Sequence, residues 1–172
     1  QQLQKDGWTI TPACMTFTPA TAAKRLKRAT AERALSAFME RVDRVNTAPY
    51  FLGRVTRVIL FGSMLNPDDA DRPSDIDLAV EIVSKIADWD THVVKNNDRA
   101  QELIMLGHQF RHSIEYAVCW QLEVFRFLKG RSRALSLAAY SIERRLVLAV
   151  PHRMLLGDDE PAALLSEDSP VP

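Results

Sequence analysis

Two apolar runs flanking a polar loop dominate the hydrophobic pattern of this chain. Tyr50 to Phe61, most strongly Val55 to Phe61, reads as one strand region, and about Asp75 to Val83 as a second. In the second run Asp75 and Asp77 alternate with Ile76, Leu78 and Val80, so the two acids share one face of a strand and the apolar side chains share the other. The loop from Met64 to Ser74 contains Pro67, Pro73 and the acids Asp68, Asp69 and Asp71, leaving room for one short helical turn. Upstream, Thr18-Pro19 is a helix-start signal, and Leu26, Leu35, Phe38, Met39, Val42 and Val45 form one stripe of a helix running to about Asn46. Downstream, Asp98 to Phe110 reads as a helix that offers Ala100, Leu103, Ile104, Leu106 and Phe110 for burial, while Trp89 to His92 is ambiguous. Ser113 to Val118 alternates like a third strand, with Glu115 its lone charge. Helices are expected over Trp120–Lys129, with Gly130 as the stop, and over Ser141–Val150, ended by Pro151. A short strand is expected between them at Ala134–Tyr140.

This order of elements predicts an α+β (mixed α/β) fold. It consists of a small mixed sheet of about three to five strands flanked by helices, with a long N-terminal helix. The expected organisation is an irregular arm over 1–17, one domain over 18–156 with its core at 50–118, and a mobile acidic tail over 157–172.

Composition narrows the picture in three ways. A chain of 172 residues with 47% hydrophobic and 26% charged residues has enough material for a real core. Equal numbers of basic and acidic residues, 22 of each, give no global field toward nucleic acid or membrane, so any nucleic-acid contact depends on a local patch. Cys14 and Cys119 match no metal-ligand spacing and read as free thiols of a reducing compartment. No stretch approaches a membrane span, and the polar start lacks a signal pattern, so the expected location is cytoplasmic.

The candidate chemistry lies in Phe61 to Val80. Gly62-Ser63 follows a strand directly, where backbone N–H groups and a hydroxyl can approach phosphate oxygens. Asp75 and Asp77 aim two carboxylates at one spot, a repulsive arrangement that a hard cation such as Mg²⁺ relieves. Glu115 in an apolar strand needs either the same cation or an arginine partner, with Arg57, Arg99 and Arg111 as candidates. Lys129 and Arg131 belong to a basic run that either complements a helix end or contacts nucleotide phosphates. Lys24, Arg25, Lys27 and Arg28 oppose the dipole of the first helix, and so call for an acidic neighbour or an anionic ligand.

A strand, Gly62-Ser63, eleven intervening residues, Asp75-x-Asp77, a helix and a strand bearing Glu115 together resemble the DNA polymerase beta-like nucleotidyltransferase superfamily, in particular its small bacterial minimal nucleotidyltransferases. The resemblance covers roughly Val55 to Val118. It implies a metal-dependent transfer of a nucleoside monophosphate from an NTP to an acceptor hydroxyl, with release of pyrophosphate. Gly62 and Ser63 would receive the triphosphate. Asp75, Asp77 and Glu115 would be the catalytic and metal-binding carboxylates, holding two Mg²⁺ ions, with Mn²⁺ as a substitute. The implied acceptor is a protein side chain or the 3′ end of a tRNA or other RNA. The implied setting is a toxin–antitoxin or phage-defence system, with a cognate toxin or antitoxin as partner. A non-catalytic binding module that keeps the fold is the alternative.

Overall fold

A computed structural model describes residues 25–67, 69 and 71–158. Among them are five α-helices and four strands, a mixed α/β arrangement on one mixed sheet. Helix α1 spans Arg28–Thr47, strand β1 Gly53–Phe61 and strand β2 Ile76–Ser84. Helices α2 (Trp89–Met105), α3 (Ser113–Ala117) and α4 (Cys119–Lys129) follow. The chain then returns through β3 (Leu135–Ala139), α5 (Tyr140–Ala149) and β4 (His152–Leu156). The strand order is β3-β2-β1-β4, with β1 antiparallel to both neighbours and β3 parallel to β2.

The two faces of the sheet follow from strand alternation. Val58, Leu60, Ile76, Leu78, Val80 and Leu135 point to one side, where they pack with Phe38, Val42 and Val45 of α1 and with Val124 and Leu128 of α4. Ile59 and Ala79 point to the other side, under Tyr140 and Val147 of α5. The stripe expected on α1 is thus the floor of the main core, and Leu35 and Met39 pack against its margin. Long cations from other elements close two helix ends. Lys85 Nζ donates to the carbonyls of Val45 and Ala48 at 2.7 Å each, and Arg41 Nε donates to the Leu128 carbonyl at 2.8 Å. Gly130, with φ +54°, stops α4 as expected, and its N–H bonds the Arg126 carbonyl.

Several expected boundaries move, each for a physical reason. Thr18-Pro19 lies outside the described residues, but residues 25–27 are not helical. Leu26 N–H bonds the Pro73 carbonyl and Arg28 N–H the Asp71 carbonyl, so this stretch pairs with the 71–73 loop before α1 begins. Helix α2 starts nine residues before Asp98, at Trp89, because Asp88 caps it by accepting from Thr91 N–H at 2.8 Å. It ends at Met105, and Met105 and Leu106, 86% and 78% exposed, take no part in the core. What α2 buries is His92, Asn96 and Ala100, a stripe at fourfold spacing that is mostly polar. β4 is an additional strand after Pro151, paired to the free edge of β1.

The largest correction concerns Ser113 to Val118. It is the short helix α3 and not a strand, and Ile114 is 68% exposed. Asn96 explains the conformation. Its side-chain amide donates to the carbonyls of Tyr116 and Ala117 at 3.3 and 3.2 Å, while its Oδ1 accepts from Trp120 N–H at 3.3 Å and Cys119 Sγ at 3.0 Å. Backbone groups freed where α3 meets α4 are thereby satisfied by a buried side chain in place of a sheet ladder. Cys119 is buried and free, and Cys14 lies outside the described residues.

Phe38 is fully buried at the centre of the α1–sheet contact. Phe38→Ala is expected to lower unfolding free energy by about 3–5 kcal/mol in urea titration, with the m-value unchanged.

Candidate functional site

The end of β1 and the start of β2 build one corner. Phe61, the last residue of β1, pairs with Asp77 of β2. The chain then turns at Gly62, whose φ of +78° is the left-handed conformation that glycine adopts without strain. Gly62–Met64 forms a single 3₁₀ turn. Close approach adds a second constraint, since a Cβ on Gly62 would overlap Asp77 Oδ2. Gly62 is therefore required by the Asp77 carboxylate that lies against it.

Ser63 and Asp75 meet across the loop. Ser63 Oγ lies 3.1 Å from Ser74 Oγ and accepts from Ser74 N–H at 3.1 Å, and Ser74 Oγ donates to Asp75 Oδ1 at 2.8 Å. On the other side of β2, Asp77 pairs in register with Ser136 of β3. Asp75 thus accepts from the hydroxyl beside it, and Asp77 has a serine as its cross-strand neighbour. Sequence reading missed Ser136 and gave Ser74 no part in the site. Ser74 is signalled only by standing next to Asp75, and Ser136 only as the one polar residue in an apolar five-residue strand.

Burial, and then the neighbouring Asp75 charge, push the Asp77 carboxyl up from 3.8 to about 6, with Ser136 opposing them. Two acceptor-only groups on one corner fit Mg²⁺, which is commonly held by one or two carboxylates and completed by phosphate oxygens and water. Among the described residues, no group of three or more His, Cys, Asp or Glu side chains is placed to hold a metal ion.

Glu115 is not on a strand of the sheet. It sits in the first turn of α3 and accepts from Arg111 N–H at 3.0 Å, a helix-capping role. Of the other candidate arginines, Arg57 bonds Glu81, and Arg99 bonds Glu102 and Glu123. The strand that does flank Asp77 is β3, Leu-Ser-Leu-Ala-Ala, which carries no acid. Lys129 lines a cleft of about 460 Å³ with Phe125, Arg126, Leu137 and Ala139. Leu137 belongs to the α1 side of the sheet, so this cleft is on the face opposite Ser136 and Asp77. Arg131 is exposed in the turn leading into β3, whose Ala134 carbonyl accepts from Ile76 N–H at 2.8 Å beside Asp75.

The basic stretch before α1 meets acidic neighbours. Arg25 pairs with Asp69 and also bonds the Arg72 carbonyl, and Arg28 bonds Glu32 and the Met64 carbonyl. Lys24 and Asp68 lie outside the described residues. A second cleft, of about 520 Å³, opens at Gly62 and Ser63 and is walled by Phe61, Asn66, Leu146 and Pro151. It places an apolar surface directly beside the Gly62–Met64 turn.

No protein family, curated protein or solved structure matches the chain.

Two outcomes test this corner. Gly62→Ala is expected to cost about 1–3 kcal/mol in urea unfolding, because the new Cβ meets both an unfavourable φ and the Asp77 carboxylate. Folding raises the proton affinity of Asp77, so the folded protein holds more protons than the unfolded chain between pH 3.8 and about 6, and this group's contribution to stability falls as pH rises through that window. Asp77→Asn removes the penalty while keeping the size and shape of the side chain. Without divalent cations it should gain about 1–2 kcal/mol at pH 7.5 and nothing below pH 4, measured as paired denaturation curves.

Proposed function

We propose that this chain is a metal-dependent nucleotidyltransferase that moves a nucleoside monophosphate from an NTP to an acceptor hydroxyl and releases pyrophosphate. The observation that supports the reading is the convergence of Gly62, Ser63, Asp75 and Asp77 on one corner with a cleft beside it. Asp75 and Asp77 would hold the cation, and Ser63 would bond a phosphate of the triphosphate. A bound Mg²⁺ or Mn²⁺ would supply charge neutralisation and Lewis acidity at the phosphates. The residues themselves act by position. The Gly62 turn admits the Asp77 carboxylate beside it, the Ser74 hydroxyl orients Asp75, and Leu146 and Pro151 wall the cleft at Gly62 and Ser63. The acceptor in this reading is a protein side chain or an RNA 3′ end, within a toxin–antitoxin or phage-defence pair.

One observation favours a second reading. β3 presents Ser136 beside Asp77 where a strand-borne third acid would stand, and Glu115 caps a helix instead. A two-carboxylate corner suffices to bind a metal–nucleotide complex, which makes a non-catalytic nucleotide-binding module the alternative.

Incubation with each of the four α-labelled NTPs and Mg²⁺, in the presence of RNA or cell lysate, separates the two. Transfer predicts label on an acceptor, lowered at least about a hundredfold by the Asp75→Asn/Asp77→Asn double variant. A rise in melting temperature with Mg²⁺ and NTP that the double variant lacks, without label, identifies the binding module. Neither label nor thermal shift overturns both.

A further inference from the structure

We infer that the cleft between α4 and β3 binds single-stranded nucleic acid, with its cations on the phosphates and its apolar walls against a base. The site belongs to α4, β3 and the turn that joins them, and the inference does not rest on the metal-site reading of Asp75 and Asp77.

The cleft, of about 460 Å³, is large enough for one nucleotide unit. Phe125, Leu137 and Ala139 give it apolar walls, and Arg126 and Lys129 line it as exposed cations. Past Gly130 the chain turns and adds Arg131 and Arg133, both exposed. Arg41 lies behind Gly130, with its Nε bonded to the Leu128 carbonyl at 2.8 Å.

What these cations lack is acidic partners. The ion pairs among the described residues take in Arg25, Arg28, Arg57 and Arg99, and none takes in Arg126, Lys129, Arg131 or Arg133. Arg126 donates instead to His108 Nε2 at 3.2 Å, which leaves its charge uncompensated. The dipole of α4 accounts for part of the run, since Arg126 and Lys129 stand in its last turn. It does not account for Arg131 and Arg133, which lie beyond the helix. In a chain whose 22 basic and 22 acidic residues balance, a run from Arg126 to Arg133 with no acid in it is a local field that attracts anions.

Extent and walls narrow the class of anion. A lone phosphate would occupy one or two of these cations, whereas a run that leaves the cleft and continues past it suits repeated charges. Single-strand sites combine such a cationic track with an aromatic surface on which a base stacks, and Phe125 supplies that surface. An acidic peptide also repeats its charge, but its carboxylates leave the Phe125 wall unused.

Fluorescence anisotropy of a labelled RNA of about 12 nucleotides, titrated with the full chain in EDTA, tests this without turnover or metal. With Arg126, Lys129, Arg131 and Arg133 on phosphates, the logarithm of the affinity should fall with the logarithm of salt at a slope of about −3. Arg126→Ala/Lys129→Ala should bind more weakly and make that slope shallower by about 1.4. Phe125→Leu should weaken binding about 5–100-fold and leave the slope unchanged, with a melting curve that shows it folded. The Asp75→Asn/Asp77→Asn double variant should bind no more weakly than the parent. A parent that binds no RNA at low salt overturns the inference, as does an Arg126→Ala/Lys129→Ala variant with the parental affinity and slope. Loss of binding in the aspartate variant moves the RNA to the corner and also overturns it. Polyglutamate that displaces the RNA as well as unlabelled RNA does, charge for charge, identifies an acidic polypeptide site in its place.

Discussion

The missing Cβ of Gly62 is the constraint on which the corner depends. Because nothing protrudes there, β1 can end flush against the Asp77 carboxylate, and the chain can reverse within one 3₁₀ turn. That reversal brings Ser63 back to Ser74, and Ser74 to Asp75. The antiparallel register of β1 and β2, with Phe61 opposite Asp77, then fixes both acids relative to the turn. Burial on the α1 side supplies the free energy that holds this register, since a slip of one residue would exchange Ile76, Leu78 and Val80 for the acids in the core.

The sheet also explains why this corner is polar while its surroundings are not. On the face that carries Asp77, the next residues along β1 and β2 are Ile59 and Ala79, both sealed under Tyr140 and Val147. Further along, Arg57 pairs with Glu81 and lies over the Tyr140 ring. Helix α5 therefore covers the middle of that face, and the acids stand at its end.

The legible part of the chain was the part governed by apolar burial. β1, β2, α4, β3 and α5 fall where the hydrophobic pattern placed them, and Gly62, Ser63, Asp75 and Asp77 converge as their spacing indicated. The misread part was governed by polar burial. α2 turns His92 and Asn96 inward, with His92 Nδ1 2.8 Å from Ser84 Oγ, and leaves Val94, Ile104 and Met105 outside. A reading that equates apolar with inside has no means of seeing such a helix. The same Asn96 turned the alternating Ser113–Val118 stretch into a helix, and with it removed Glu115 from the sheet. Ser136 was hidden for a different reason. A single hydroxyl in a short strand acquires meaning only through its cross-strand register, which sequence does not display.

The polar seam between α2 and the rest of the molecule gives two layers unlike thermal characters. Apolar burial dominates the α1–sheet layer, whose attachment carries most of the heat-capacity change of unfolding and weakens as water cools. The α2 layer is held in large part by directed bonds at Asn96, His92 and the Arg99–Glu123 pair, and contributes far less to that heat capacity. On cooling, the apolar attachment of α1 to the sheet weakens more than the directed bonds that hold α2 to α3 and α4.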